Sequence, residues 1–494
     1  MLIKLRLLLA WVSFFAMTLF FLGLLDFPIA KVQFFPALLA ADFVVVLVIF
    51  VSAVLFGRVY CSVLCPLGIF QDLVLWLKQR KKKNCQKFQY RRESRGLRYG
   101  ILLGTAAALF SGFAILPILL DPYSIYGRMV THLLTPLWQQ TVNGAAHLGE
   151  RYDLYGLASY DFIWQGAAAL VVSLAYFLLL GIAAWRYGRI YCNTICPVGT
   201  LLGTVSRYSV FRMRIQPETC VRCGLCEKSC RSSCIDVQQQ TIDASRCVGC
   251  FSCMEVCPRQ ALQFTAVRQV AVRKAADASC QQGPKDLLTR REMLATSFIA
   301  VGAAAGALLK AAPASGAVLG SRNHQAIRPP GAGSQADFSN RCTACHICVD
   351  RCPNQVLTPA LLEYGFGGIF QPHVDFSRGY CDYNCNICGS VCPNGAIKKL
   401  PLVEKRRLRI GKASYHPEQC LILTEGVECT NCVLHCPTGA IVLEEKDGKK
   451  LPKIQHAQCI GCGSCTYHCP AHPPAMQVVG TAEQKLVNIA PASN

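Results

Sequence analysis

Three kinds of chemistry are missing from these 494 residues. The chain has no acid/base or nucleophile triad pattern, no glycine-rich phosphate loop and no nucleotide fingerprint, so any difficult chemistry falls to bound cofactors. Histidine and cysteine are absent from the four long apolar segments, 7–25, 37–57, 97–120 and 162–185. A haem held between helices needs facing histidines inside them, so these segments offer no haem relay. His132 and His147 lie in the connection 121–161 and read as ordinary surface or packing residues. Acidic residues are scarce too: 29 Asp and Glu stand against 50 Lys and Arg, a formal charge of +21. Such an excess can mark a nucleic-acid partner. Here the basic residues bunch beside the apolar segments, which assigns them to membrane topology and argues against nucleic acid.

Each apolar segment is long enough to cross the ~30 Å hydrocarbon core as a helix. Lys4 and Arg6 precede the first, and the connection 78–98 holds ten Lys or Arg against the single Glu93. Arg186, Arg189, Arg207, Arg212 and Arg214 follow the fourth. The positive-inside rule then puts both ends of a four-helix unit in the cytoplasm. Asp42, near the outer end of the second segment, is a candidate proton acceptor for a quinol, since an ionisable group at membrane depth is often functional. An interfacial Asp that simply reaches water fits equally well.

What the chain has in excess is cysteine, 31 residues. Four form an internal repeat. Gly57-Arg-Val-Tyr-Cys61-Ser-Val-Leu-Cys65-Pro66-Leu-Gly68 follows the second apolar segment, and Gly188-Arg-Ile-Tyr-Cys192-Asn-Thr-Ile-Cys196-Pro197-Val-Gly199 follows the fourth. Two helical hairpins are therefore expected to pack as related halves, with Cys61, Cys65, Cys192 and Cys196 able to bind metal, form disulfides or relay redox change.

Another 24 cysteines fall into six runs. The first two are Cys220/Cys223/Cys226/Cys230 and Cys247/Cys250/Cys253/Cys257. The other four are Cys342/Cys345/Cys348/Cys352, Cys381/Cys385/Cys388/Cys392, Cys420/Cys429/Cys432/Cys436 and Cys459/Cys462/Cys465/Cys469. Disulfide frameworks do not repeat one spacing six times. Three close thiolates followed by Cys-Pro is the bacterial ferredoxin pattern, in which the fourth cysteine usually serves a neighbouring [4Fe–4S] cluster, whereas zinc sites use simpler pairs. The first run departs from it: Arg231 stands in place of proline, and either Cys230 or Cys234 can be the fourth ligand. Cys85 and Cys280 belong to no run. Cys342-Thr-Ala-Cys345-His346 matches a c-type haem attachment motif, but haem there would strand Cys348 and Cys352. His435 and His468, inside cluster runs, are expected to tune their surroundings.

Between the second and third runs lies Thr289-Arg290-Arg291-Glu292-Met293-Leu294, followed by an Ala/Gly-rich apolar stretch, the layout of a twin-arginine export signal. That route carries folded, cofactor-loaded proteins. A Pro/Gly/Ala/Ser-rich linker, 311–337, comes next, with Ala312-Pro-Ala314 as a possible cleavage site.

On these motifs residues 1–265 resemble the NapH type of membrane ferredoxin, and residues 286–480 resemble the NapG/MauM type, as if the two were fused head to tail. The expected fold class is a multi-helix membrane unit (four transmembrane helices plus a fifth, signal-like helix) carrying small α+β ferredoxin domains. The expected domains are 1–206 in the membrane, 207–265 as a cytoplasmic two-cluster module, 266–337 as linker and signal, and 338–494 as a periplasmic four-cluster module. The resemblance implies a quinol dehydrogenase of the bacterial inner membrane. It would hold six [4Fe–4S] clusters, draw on the quinol pool in the lipid, and feed a periplasmic c-type cytochrome or terminal reductase. Two rival readings are a cytoplasm-facing metal or thiol reductase built on the Cys-x3-Cys pairs, and an assembly protein whose clusters are structural.

Overall fold

A computed structural model describes residues 2–25, 29–81, 88–112, 115–153, 156, 159, 166–266, 326–446 and 448–487. The twin-arginine segment, the linker up to 325, Cys85 and Cys280 lie outside the described residues. Among the described residues two helices are long and apolar enough to cross a membrane, α1 (Leu2–Phe21) and a second at Ala167–Tyr187.

The second expected span is interrupted. Helix α2 (Phe34–Leu39) stops where Ala41 takes a positive φ of 58°, and α3 (Phe43–Phe56) restarts on Asp42, whose carboxylate accepts the N–H of Val45 at 3.3 Å. An N-cap of this kind satisfies an otherwise orphaned donor. A one-turn helix α4 (Tyr60–Val63) and helix α5 (Pro66–Lys81) follow. The third span is likewise split, into α6 (Arg95–Phe110) and α7 (Ile115–Leu120).

The expected connection 121–161 is a correction to the sequence reading, because most of it is helical. Asp121 accepts the N–H and O–H of Ser124 at 3.0 and 2.7 Å, and Pro122 supplies a preset φ at the first helical position. Helix α8 (Pro122–Met129) then passes through a π-turn at Val130–Leu134 into α9 (Thr135–Glu150). Helix α10 (Ala167–Tyr187), a π-turn at Tyr191–Ile195 and α11 (Pro197–Ser206) complete this half.

The chain forms two compact units. The first comprises residues 1–20, 24–129 and 172–314. Its core packs Phe34, Leu67, Ile125, Val198 and Leu202 around the two Cys-x3-Cys pairs. It also carries a small α+β module, in which β1 (Phe211–Ile215) pairs antiparallel with β4 (Leu262–Ala266), and β2 (Ile235–Asp236) with β3 (Thr241–Ile242). The second unit comprises 21–23, 130–171 and 315–494. Its described residues form three two-stranded antiparallel sheets: β5 (Leu357–Pro359) with β6 (Pro372–Val374), β7 (Leu408–Tyr415) with β10 (Met476–Leu486), and β8 (Ile441–Lys446) with β9 (Lys449–Ile454). Phe338, Val349, Val356 and Ile397 fill its main core.

Candidate iron–sulfur sites and a buried thiol group

In the first unit the two cysteine runs interlock. Cys220, Cys223 and Cys226 line one pocket together with Cys257 and Pro258, so the last cysteine of the second run joins the first. Cys247, Cys250 and Cys253 line another with Cys230 and Cys234. Both candidates for the fourth ligand, Cys230 and Cys234, line this site, with their sulfurs 3.6 Å apart. Arg231, where proline was expected, turns its carbonyl to the N–H of Arg189 (2.8 Å) and its guanidinium to Asp72 (3.2 Å).

The second unit repeats the exchange twice. Cys342, Cys345 and Cys348 share a pocket with Cys392, and Cys381, Cys385 and Cys388 share one with Cys352. Cys432 lies within electrostatic reach of Cys420, Cys429 and Cys469, and Cys420 packs with the latter two. Cys462 and Cys465 each lie within such reach of Cys459 and Cys436. Cys342 and Cys345 of the haem-like motif thus share their pocket with two further cysteines. Backbone N–H groups of Ala261, Ile397 and Ala440 point at the sulfurs of Cys257, Cys392 and Cys436 at 3.4, 3.4 and 3.2 Å. Four-thiol sets with amide N–H donors in apolar surroundings fit [4Fe–4S] ligation, which uses such hydrogen bonds to set potential. The two pairs of runs also touch, because the Cys381 N–H donates to the Cys462 carbonyl at 2.9 Å. His435 and His468, beside Cys436 and Cys469, stack with centroids 3.7 Å apart.

Cys61, Cys65, Cys192 and Cys196 form a further group in the core of the first unit, each no more than 4% exposed. Burial pushes the thiols of Cys65 and Cys196 well above their ordinary range. The repeat is a structural two-fold. Arg58 donates to the carbonyl of Cys192 at 2.8 Å, and Arg189 donates to the carbonyl of Cys61 at 2.8 Å. A Cβ on Gly68 would sit 2.2 Å from the Cys61 oxygen, and one on Gly199 2.2 Å from the Cys192 oxygen. Both glycines are required by that close approach.

Asp42 is half-buried and caps α3. Asp121 is buried in its cap, and burial pushes it up to about 6 against the hydrogen bonds of Ser124 and Tyr123. His147 is exposed beside Glu150. The sequence reading missed His132, which belongs to the second unit with the third run. Its Nε2 lies 2.7 Å from His346 Nδ1, and His346 Nε2 lies 2.7 Å from the Phe370 carbonyl. A carbonyl only accepts, so with neutral rings His346 donates to it through Nε2 and receives a hydrogen bond from His132 at Nδ1. His132 sits in a π-turn, a feature often found at functional sites. The one signal in the sequence was His346 standing directly after a cluster cysteine.

Comparison with known proteins agrees with this geometry. A 4Fe–4S binding domain is matched at residues 40–84 and 168–216, a second at 241–262, and a 4Fe–4S dicluster domain at 380–440 and 426–472. The ferredoxin-type protein MauM of Paracoccus denitrificans is 32% identical over 203 residues, covering 39% of this chain and 88% of that protein. NapG of Escherichia coli is 30% identical over 213 residues, covering 41% and 87%. An uncharacterised protein of Methanocaldococcus jannaschii is 27% identical over 261 residues, covering 50% and 84%. No solved structure matches. The chain belongs to the ferredoxin-type 4Fe–4S family that includes NapF, NapG and MauM.

Proposed function

We propose that this iron–sulfur electron-transfer protein sits in the bacterial inner membrane, oxidises quinol, and passes electrons to a periplasmic c-type cytochrome or its reductase. It would do so with six [4Fe–4S] clusters, two cytoplasmic and four periplasmic. Each cubane, when bound, exchanges single electrons. The observation that carries the reading is the order of the exported cysteine sets. Interlocking joins the third run to the fourth and the fifth to the sixth, and the Cys381–Cys462 contact joins the fourth to the sixth. The succession is third, fourth, sixth, fifth, without a gap.

A membrane position is supported by the apolar faces of α3, α6 and α10, where Phe43, Val44, Leu47, Leu103, Phe110 and Leu179 are each more than 60% exposed. On this reading α3 and α6 cross with α1 and α10, and the breaks at Asp42 and Ser111 lie at the outer surface. Quinol gives up its electrons at that surface and Asp42 takes up a released proton; within the second unit, the His132–His346 pair stands at the third-run end of the succession. The test is reduction of the exported clusters by a short-chain quinol in anaerobic membranes, followed by EPR. Wild type should be reduced, and Asp42→Asn or His132→Ala should slow the rate at least tenfold while dithionite still reduces every cluster. If both variants match wild type while Cys61→Ser or Cys192→Ser abolishes reduction, quinol acts at the inner edge instead.

A further inference from the structure

We propose that Cys61, Cys65, Cys192 and Cys196 together hold an additional iron–sulfur cluster, outside the six ferredoxin runs. The four thiols pack together in one core cluster of the first unit, each no more than 4% exposed, and each has the other three near enough for their charged forms to repel. Each half of the repeat contributes two sulfurs across the two-fold, an arrangement that offers four ligands to a single cluster.

The surroundings are built for an anion of several charges. Arg58 is fully buried, and its donors go to the Asn193 side-chain oxygen at 2.8 Å and to the carbonyls of Ser245 and Cys192 at 3.1 and 2.8 Å. No carboxylate among the described residues pairs with it. Its Nη2 stands 3.9 Å from the Cys61 sulfur, and its Nε has no hydrogen-bond partner. Arg189, the two-fold equivalent, shares the single carboxylate of Asp72 with Arg6 and Arg231. A buried cation without a counter-charge is strongly unfavourable, and here positive charge exceeds negative on both sides of the thiols. Four thiolates holding a cluster of iron and sulfide would supply the missing negative charge.

The sulfurs also receive hydrogen bonds as cluster ligands do. Gln71 Nε2 donates to Cys192 at 3.3 Å, the Gly199 N–H donates to Cys196 at 3.3 Å, and the Gly68 N–H makes the equivalent bond to Cys65. The latter two lie at the N-termini of α11 and α5, whose dipoles favour negative charge at that end. A pair of disulfides would use neither the buried guanidinium groups nor these donors. The site packs against Val248 and Cys250, so it adjoins the ligand set of the second run. This inference does not depend on the quinol reading.

The experiment is metal and sulfide analysis of the full-length protein purified anaerobically in detergent, with Mössbauer spectra. The six runs account for about 24 irons at four per cubane. The wild-type protein should carry about 26 or 28, with sulfide to match, and the double variant Cys61→Ser/Cys192→Ser should fall back to about 24 while keeping the cubane EPR signals. Acid quenching followed by alkylation without reductant should label all four thiols in the wild-type protein. A wild-type total of about 24, zinc or copper in place of the extra iron, or a Cys61–Cys65 or Cys192–Cys196 disulfide after acid quench would overturn the proposal. The wild-type total decides the matter even if the double variant fails to fold.

Discussion

Replacing Asp72 by Asn removes the one carboxylate that three guanidinium groups share. Arg189 lies 2.7 Å from it and Arg231 3.2 Å, with Arg6 bonded to the same group. Burial alone would raise its pKa, yet Arg189, Arg231 and Arg6 together hold it far below the usual carboxylate range. An exposed pair would be worth at most about 1 kcal/mol. Here the partners are 0–13% exposed and would be left charged and unpaired, a loss of about 3–5 kcal/mol. At roughly 2–4 °C per kcal/mol for a domain of this size, the midpoint should fall by about 6–20 °C. The assay is thermal unfolding of the anaerobic, detergent-solubilised protein, followed by the visible absorbance of the clusters. Asp42→Asn, which keeps a capping side chain, serves as a control and should change the midpoint little. The sign with pH is also fixed. A carboxylate whose folded pKa is depressed contributes its stability above the unfolded value of about 3.9 and loses it only as pH falls through the folded one. The gap between wild type and Asp72→Asn should therefore stay constant from pH 8 to pH 5. A midpoint shift below about 2 °C, or a gap that closes on going from pH 7 to pH 5, would refute the shared pairing.

Two further outcomes test the ligand sets and the topology. Cys257→Ala should cost about four irons and remove the cluster of Cys220, Cys223 and Cys226 while sparing that of Cys247, Cys250 and Cys253; iron analysis with EPR reads this, and the opposite loss would break the interlocked assignment. Changing Arg290 and Arg291 together to Lys should leave residues 342–469 protected from protease added outside the inner membrane, and unchanged accessibility would make the pair an ordinary basic flank.

The cysteine runs were legible because ligand spacing is a local property: three thiolates that bind one cluster must lie within a few residues of each other. Which fourth cysteine serves which set is not local. Cys257 joins Cys220, and Cys392 joins Cys342, only because the chain doubles back. Helix breaks were illegible for a different reason. Hydropathy sees no difference between Leu38-Leu39-Ala40-Ala41 and a continuing helix, whereas the positive φ of Ala41 and the cap of Asp42 decide the matter locally. The stretch after Asp121 read as a connection because it lies between two long apolar segments, whereas the Asp121 cap and the packing of Tyr123, Ile125 and Tyr126 hold it helical.

The repeat shows most clearly where reading along a chain stops. Its two copies were visible as a shared pattern of Gly, Arg, Tyr, Cys, Pro and Gly, but nothing in either copy says what its arginine or its second glycine does. In the fold each copy completes the other. Arg58 holds the carbonyl of Cys192 and Arg189 holds that of Cys61, while Gly68 and Gly199, one turn beyond, clear the space those carbonyls occupy. The residues are spaced alike because they act in exchange, so a change in one half should be felt at the thiols of the other. That reciprocity ties two cysteine pairs, more than a hundred residues apart in sequence, into one packed core, and it also brings them beside the second ferredoxin run at Cys250.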